Sequence, residues 1–354
     1  MNYSEYKTAV LDVRGALREA MARLGEAGVG SHALAAELLL MKVLGCERAW
    51  LYSRPEQMLE PARAEQYFTL VSQRIAGTPT QYLTGRQEFW GLEFEVTPDV
   101  LIPRPETEHV VEVALERLSS RRRPQGLRPA PPWAGDRPAP SGAELRIADV
   151  GTGSGCLAAA IASELPEAVV FATDISPAAL AVARRNAARH AVADRIQFFA
   201  CDLLGALECG SWLTPSETGG ARGLRSGQAP PHSEEKFGAS VHESRLTSHE
   251  SRAFHLIVSN PPYVGRHEAE SLPREVGRHE PGEALFGGEQ GFEVYPPLVR
   301  QAERLLVPGG ILVLELSYNA LEPVRSLLGS PAWTNVGVTN DLAGIPRVIA
   351  AEKL

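Results

Sequence analysis

The strongest signal for the fold is a glycine-rich segment near the middle of the chain, Asp149-Val150-Gly151-Thr152-Gly153-Ser154-Gly155. An apolar run precedes this segment and a helical pattern follows it, so the glycines stand at a strand-to-helix turn. Glycines there let the backbone bend sharply and lie close to a ligand. Their spacing differs from the dinucleotide fingerprint, and the lysine of a phosphate loop is missing. The segment alone therefore says little about which ligand binds.

Strands and helices alternate outward from this turn. Short apolar or β-branched runs predict strands at residues 146–150, 169–173, 196–200, 255–259 and 311–316. Helical patterns at residues 157–165, 177–188 and 295–306 lie between or after them. This alternation predicts an α/β protein with a mostly parallel sheet covered by helices. Such sheets bind ligands at the carboxyl ends of their strands.

Two acidic residues end the second and third predicted strands. Asp174 follows the glycine turn by roughly twenty residues, where an acid can bind two ribose hydroxyls. Asp202 can accept a hydrogen bond from an adenine amino group, and the neighbouring Leu203 can lie against the ring. Both acids could also be simple loop caps. Because both stand at strand ends beside a glycine turn, we favour adenosine binding.

The most specific motif is Asn260-Pro261-Pro262-Tyr263, which directly follows the predicted strand at residues 255–259. The Asn260 side-chain oxygen and the Pro261 carbonyl can both accept hydrogen bonds from one NH₂ group. The prolines restrict the backbone and hold these acceptors in place, and Tyr263 offers a face for stacking. Two such acceptors would push charge onto a planar nitrogen and orient it for methylation by direct displacement, with no metal required.

The N-terminal part has a different character. Residues 1–80 show helical patterns with short loops and predict a small helical bundle. Residues 81–118 predict a β-hairpin and a linker helix, with alternation from Glu88 to Val96 and a turn at residues 97–99. Residues 119–143, which include a basic run at 121–123, predict a flexible linker. Residues 209–252 predict a disordered insertion, and its histidines (His232, His242 and His249) lack the spacing of metal ligands.

Composition narrows the function classes. The 354 residues carry a formal net charge of −8, which disfavours non-specific nucleic-acid binding. The four cysteines form no Cys-x-x-Cys pair, so neither a zinc site nor a disulfide framework is expected. The sequence shows no signal peptide and no transmembrane run. We therefore expect a cytoplasmic protein that does not associate with membranes.

These motifs resemble the class I methyltransferases that use S-adenosyl-L-methionine and, more narrowly, the release factor glutamine methyltransferases (the HemK/PrmC family). Matching segments run through nearly the whole chain, at residues 81–85, 88–92, 101–108, 280–281, 287–288, 291, 341–344 and 347–348. The resemblance implies a Rossmann-like fold with a mostly parallel seven-stranded sheet in residues 144–354, and an N-terminal bundle that helps bind a release factor.

The resemblance also implies an activity. The enzyme would methylate the side-chain amide nitrogen (N5) of the glutamine in the Gly-Gly-Gln motif of class-one peptide-chain release factors, acting as a monomer and leaving S-adenosyl-L-homocysteine. The cofactor would bind at Gly151, Thr152, Gly153, Ser154, Gly155, Asp174, Asp202, Leu203 and Asn260. The substrate would bind at Asn260, Pro261, Pro262 and Tyr263, which also form the catalytic loop, and at Phe89 and Arg104. No metal is implied.

Some features depart from the family pattern, and other functions stay open. The family often has an aromatic residue where this chain has Leu203, and residues 119–143 and 209–252 look longer than the family requires. A glutamine methyltransferase of ribosomal protein L3 would share the same loop. So would an N6-adenine DNA or RNA methyltransferase, which the negative charge disfavours. A non-catalytic adaptor for a translation factor is the third alternative.

Overall fold

The computed structural model describes residues 11–121, 145–208 and 253–354. The N-terminal part is a bundle of five helices with its own apolar core, as predicted. The helices are α1 (Val13–Glu26), α2 (His32–Leu44), α3 (Arg48–Ser53), α4 (Pro61–Ile75) and α5 (Thr80–Thr84). Asp12 caps α1, accepting a hydrogen bond of 2.7 Å from the Gly15 N–H. Leu17, Leu39 and Tyr67 are buried where α1, α2 and α4 meet.

The hairpin after the bundle has its turn elsewhere than predicted. Strands β1 (Arg86–Phe89) and β2 (Leu92–Glu95) pair antiparallel. The turn is therefore Trp90-Gly91 and not residues 97–99, and residues 100–102 form no strand. Trp90 and Gly91 have φ angles of 55° and 70°, the left-handed conformation that tight hairpin turns require. A tryptophan is a poor sequence signal for that conformation, whereas Thr97-Pro98-Asp99 is a strong turn signal.

Helix α6 (Glu108–Arg121) follows, as the predicted linker helix. It includes residues 119–121, which were expected to belong to the flexible linker. The rest of that linker and the predicted insertion at 209–252, with its three histidines, lie outside the described residues.

The remainder forms the predicted seven-stranded, mostly parallel sheet. Its strands are β3 (Leu145–Val150), β4 (Ala168–Asp174), β5 (Ile196–Ala200), β6 (Phe254–Ser259), β9 (Leu306–Glu315), β10 (Trp333–Asn340) and β11 (Pro346–Lys353). The order is β10-β11-β9-β6-β3-β4-β5, and the five strands from β9 to β5 run parallel. Strand β11 is antiparallel to both of its neighbours. The five parallel strands match the runs predicted from the sequence, whereas the individual runs of β10 and β11 were not predicted.

Helices cover both faces of this sheet. They are α7 (Cys156–Glu164), α8 (Pro177–Arg189), α9 (Gly205–Glu208), α12 (Tyr295–Leu305) and α13 (Leu321–Leu327). Ile147, Ile161 and Val258 are fully buried in the core on the α6 and α7 face. Leu298 and Leu314 are fully buried in the core on the α12 face. Burial on both faces explains why the central strands read as continuous apolar runs.

A small excursion separates β6 from α12. It contains α10 (Arg274–His279), α11 (Gly282–Leu285) and a short parallel pair, β7 (Val264–Gly265) with β8 (Phe286–Gly288). This excursion follows the Asn260-Pro261-Pro262-Tyr263 loop directly and packs beside it. Among the described residues, no helix is long and apolar enough to cross a membrane.

Candidate active site

A cavity of about 660 Å³ opens at the carboxyl ends of the parallel strands. Its size is typical of a pocket for a small ligand. It brings together most of the residues predicted to bind the cofactor, which come from the loops after β3, β4, β5 and β6. These are Gly151, Thr152, Gly153, Ser154, Asp174, Asp202, Leu203 and Asn260. The sequence prediction of one shared site at this edge is consistent with this arrangement.

The glycine turn forms one wall of the cavity. Gly151 and Gly153 have φ angles of 71° and 54°, and a Cβ on either would meet nothing within 4 Å. Both therefore expose bare backbone to the ligand space. Gly155 does not line the cavity. A Cβ there would stand 3.0 Å from the Cβ of Ala183, so Gly155 lets the turn pack closely against α8.

Asp149, for which the sequence analysis assigned no role, holds the glycine turn from behind. It is fully buried, and its Oδ2 accepts hydrogen bonds from the Thr152 hydroxyl (2.6 Å) and the Ala158 N–H (3.0 Å). Burial raises the pKa of this carboxyl to about 7, against the opposing effect of those two donors. The sequence did offer a signal for this role, because an acidic residue at the end of a buried strand needs hydrogen-bond donors close by in the chain.

Asp174 lies across the turn from Asp149. Its Oδ2 accepts from the Gly153 N–H at 2.8 Å, and its Oδ1 accepts from the Ser176 N–H at 2.9 Å. Burial raises its pKa, and these backbone donors oppose the rise. Each carboxylate oxygen keeps a further lone pair, so the group can still accept from two hydroxyls of a ligand.

Apolar side chains complete this end of the cavity. Leu203 has a φ of 47°, a left-handed conformation that is unusual for leucine. Ile175 also lines the cavity although 59% of its surface is exposed. Ile175 was not predicted from the sequence, because a single isoleucine after a strand looks like an ordinary core residue. Together the two side chains offer an apolar surface to a flat ring.

The Asn260 loop forms the opposite wall. Asn260 Nδ2 donates a hydrogen bond of 2.9 Å to the Thr107 hydroxyl oxygen. Asn260 Oδ1 is buried and has no hydrogen-bond partner among the described residues. Pro262 also lines the cavity. An acceptor without a partner in the wall of a pocket suits a ligand that carries an N–H group.

The other two residues of this loop do not reach the cavity wall. Pro261 is buried, and Tyr263 packs against the core on the α12 face. The Tyr263 hydroxyl donates to Glu315 Oε1 at 3.3 Å, and burial raises the pKa of Tyr263. Stacking of a ligand on Tyr263 and acceptance by the Pro261 carbonyl stay predictions.

Phe89 and Arg104 also lie off the cavity wall. Phe89 is 1% exposed and packs against Phe94 in the hairpin core. Arg104 forms an ion pair with the buried carboxylate of Glu280 and lines a second cavity of about 360 Å³ beside the helical bundle. The placement of Phe89 gives its predicted substrate contact no support. Arg104 braces the segment that leads into α6.

The described residues include no group of three or more His, Cys, Asp or Glu side chains that could hold a metal ion.

Comparisons with known proteins agree with this geometry. Residues 15–85 match the PrmC N-terminal domain and residues 139–212 match the methyltransferase small domain. A release factor glutamine methyltransferase from Koribacter versatilis is 37% identical over 97% of this chain and 99% of its own length. Another from Moorella thermoacetica is 37% identical over 96% of this chain and 98% of its own.

Among solved structures, a ribosomal protein L11 methylase from Lactobacillus delbrueckii subsp. bulgaricus is 18% identical to this chain. That alignment covers 73% of this chain and 83% of the other, with a TM-score of 0.39. The full-length sequence relatives decide the family: the chain belongs to the release factor glutamine methyltransferases.

Proposed function

We propose that this protein methylates the N5 side-chain amide nitrogen of the glutamine in the Gly-Gly-Gln motif of class-one peptide-chain release factors. The methyl donor would be S-adenosyl-L-methionine, and the product S-adenosyl-L-homocysteine. The observation that carries the proposal is the buried, unpartnered Asn260 Oδ1 in the wall of the cavity that the glycine turn and Asp174 share. Family membership supports the substrate, and we expect the reaction to take place in the cytoplasm.

The size of the cavity and the chemistry of its lining support this cofactor. Asp174 has the lone pairs to accept from two ribose hydroxyls, and Asp202 can accept from the adenine amino group. Leu203 and Ile175 supply apolar surface for the adenine ring. Gly151 and Gly153 leave open backbone beside the methionine end. The bound cofactor would supply an electrophilic methyl group on a sulfonium centre.

Asn260 would bind and orient the substrate amide. An amide nitrogen is a weak nucleophile because its lone pair is delocalised into the carbonyl group. Asn260 Oδ1 would accept a hydrogen bond from the substrate NH₂ and orient its nitrogen toward the methyl group. As the nitrogen bonds to the methyl group and the sulfur–methyl bond breaks, the nitrogen would gain positive charge, which this fixed oxygen dipole stabilises more than it stabilises the ground state. The methylated nitrogen would then release one N–H proton to solvent water. Because Asn260 Oδ1 has no hydrogen-bond partner among the described residues, no internal hydrogen bond would have to break when the substrate NH₂ donates to it.

A methyl-transfer assay tests the proposal directly. Purified protein and isotope-labelled S-adenosyl-L-methionine are incubated separately with a class-one release factor, with ribosomal protein L3 and with duplex DNA. The protein products are mapped by peptide mass spectrometry, and the DNA is digested and analysed as nucleosides. A release factor whose Gly-Gly-Gln glutamine is changed to alanine is the matched control.

Label on the glutamine nitrogen of the native factor, lost in that control, is the expected result. Label only on L3 or DNA would transfer the proposal to that substrate. No transfer to any of them, with cofactor bound, would contradict a catalytic function and favour an adaptor.

A further inference from the structure

A buried polar cluster adjoins Asn260, and one of its members, Thr107, also lines the cavity. Thr107, from the segment that leads into α6, and Glu315, from the end of β9, are each 2% exposed. Tyr263 completes the cluster by donating to Glu315 Oε1 at 3.3 Å. These residues come from three distant parts of the sequence, and the fold alone brings them together.

The direction of the hydrogen bonds in this cluster matters, because an asparagine amide has a donor end and an acceptor end. Asn260 Nδ2 donates to Thr107 Oγ1 at 2.9 Å. With that lone pair used, the single hydroxyl proton of Thr107 must point to another acceptor.

Glu315 is the candidate for that acceptor. Its Oε2 is buried and has no hydrogen-bond partner among the described residues. The Thr107 side chain is among the groups that lower the pKa of Glu315, so the two side chains lie near each other. A carboxylate can only accept hydrogen bonds. With Glu315 ionised, both hydrogen bonds therefore have a fixed direction: Asn260 donates to Thr107, and Thr107 donates to Glu315.

We propose that Thr107 and Glu315 are positioning residues that hold the Asn260 amide with Oδ1, and not Nδ2, facing the substrate. The inference rests on the proposed function, because it assigns the substrate amide to Oδ1. If the amide turned over, Nδ2 would face the substrate NH₂, and two donors would meet with no acceptor between them. Methyl transfer would then lose both the orientation and the stabilisation of the nitrogen.

The charge of Glu315 depends on the groups that face it. Burial is the largest effect and raises its pKa to about 7; Glu106 adds to the rise, and Arg347 of β11 opposes it. Tyr263 donates to its side chain, and Tyr295 of α12 donates to its backbone carbonyl at 2.8 Å. A protonated Glu315 can donate to Thr107, and the hydrogen bonds would then no longer have a single fixed direction. Methyl transfer should therefore increase as the pH rises through about 7.

Paired substitutions at Thr107 provide the test. Thr107→Ser keeps the hydroxyl, whereas Thr107→Val keeps the shape and removes it. We expect Thr107→Val to lower kcat on the release factor by roughly 10- to 100-fold. Its cofactor Kd should stay within about twofold of wild type, and Thr107→Ser should retain most activity. Thr69→Val, at a partly exposed position of α4, is the matched control. Equal kcat for Thr107→Val and Thr107→Ser would overturn the proposal.

Glu315→Gln provides an independent arm if Thr107→Val does not fold. The amide that this substitution introduces can donate to Thr107 and reverse the direction of the hydrogen bonds, so kcat should fall. The increase of activity through neutral pH should also disappear, because the glutamine side chain does not titrate. That increase should persist in Asp149→Asn, which removes a second carboxyl with a pKa of about 7, in β3. A Glu315→Gln variant with wild-type kcat and pH profile would overturn the proposal. A wild-type protein inactive in the same assay would instead refute the proposed function.

Discussion

Gly287 packs directly against the backbone of Pro262: a Cβ on Gly287 would stand 2.2 Å from the Pro262 carbonyl oxygen. Nearby, a Cβ on Gly291 would stand 2.4 Å from the Tyr263 carbonyl oxygen. Both contacts are with backbone, which cannot move aside as a flexible side chain can. The excursion between β6 and α12 therefore fixes the position of the Asn260-Pro261-Pro262-Tyr263 loop.

Gly287→Ala should displace that loop. The added methyl group would push Pro262 away and move Asn260 with it, and an error of about 1 Å in a reacting geometry can lower the rate by ~100-fold. We expect kcat to fall by roughly tenfold or more, while the cofactor Kd measured by calorimetry changes little. Gly205→Ala is the matched control, because a Cβ there meets nothing within 4 Å. Equal activity of the two variants would contradict this account of the loop.

Removing the Asn260 amide should separate binding from turnover. Asn260→Ala removes the unpartnered acceptor but leaves Asp174 and the glycine turn in place. By analogy with the loss of one preorganised polar group, we expect turnover to fall by roughly 100-fold or more. Single-turnover assays at saturating cofactor would measure this loss, and a calorimetric titration would confirm cofactor binding. Normal turnover in this variant would rule out Asn260 as the substrate acceptor.

Asp174→Asn, in contrast to Asn260→Ala, should first of all weaken cofactor binding. Asparagine keeps the size of the side chain but replaces one acceptor oxygen with an NH₂ donor, so one ribose hydroxyl and one backbone N–H would lose their acceptor. A lost hydrogen bond to a charged group is worth about 1.5–3 kcal/mol, which predicts a Kd roughly 10- to 100-fold higher. Calorimetry at constant pH would measure it. An unchanged Kd would show that the ribose binds elsewhere.

The raised pKa of Asp149 predicts how stability depends on pH. An Asp carboxyl ordinarily titrates near 3.8, whereas in the folded protein Asp149 has a pKa of about 7. Between these values the folded state holds a proton that the unfolded state has lost. The free energy of unfolding should therefore fall as the pH rises through this window, by at most about 1.4 kcal/mol per pH unit for this group.

Asp149→Asn, which is neutral at every pH, should reduce that fall. Urea midpoints of wild type and variant at pH 5.5 and 7.5, without cofactor, would measure the difference, and the contributions of other titrating groups cancel in the comparison. Identical falls in the two proteins would show that Asp149 does not titrate in this range.

Sequence patterns were sufficient for the parts of the fold that depend on local periodicity. The parallel strands and the helices around the glycine turn follow from buried apolar runs and 3.6-residue patterns. The hairpin turn was misplaced because Trp90 adopts a left-handed conformation. The Trp90 N–H and indole N–H donate to Glu108 (2.8 Å) and Glu164 (3.0 Å), contacts between distant residues that stabilise the turn.

The same limit applies to the site. The positions of Asp174, Asp202 and Asn260 in the cavity wall could be predicted because each stands at the carboxyl end of a parallel strand. Thr107 and Glu315 could not, because 153 residues separate Thr107 from Asn260 and only the packing of α6 on the sheet brings them together. Ile175 and Asp149 were visible in the sequence but read as ordinary core or motif residues. Tertiary contacts, and not residue type, give these positions their roles.

The ion pair between Arg74 of α4 and Glu275 of α10 links the helical bundle to the excursion that follows the Asn260-Pro261-Pro262-Tyr263 loop. The two partners are unequally buried, since 10% of the Arg74 side chain is exposed but 43% of the Glu275 side chain. Glu275→Ala would leave a buried guanidinium without its counter-ion and should destabilise the protein by about 1–3 kcal/mol. Arg74→Met would leave only a half-exposed carboxylate, which water can solvate, and a hydrophobic side chain in place of the guanidinium.

We therefore expect the Glu275 variant to unfold at a lower urea concentration than the Arg74 variant. Glu322→Ala, which removes one partner of an exposed ion pair, is the control. The reverse order would show that the attachment depends on the packing of Arg74 and not on its charge.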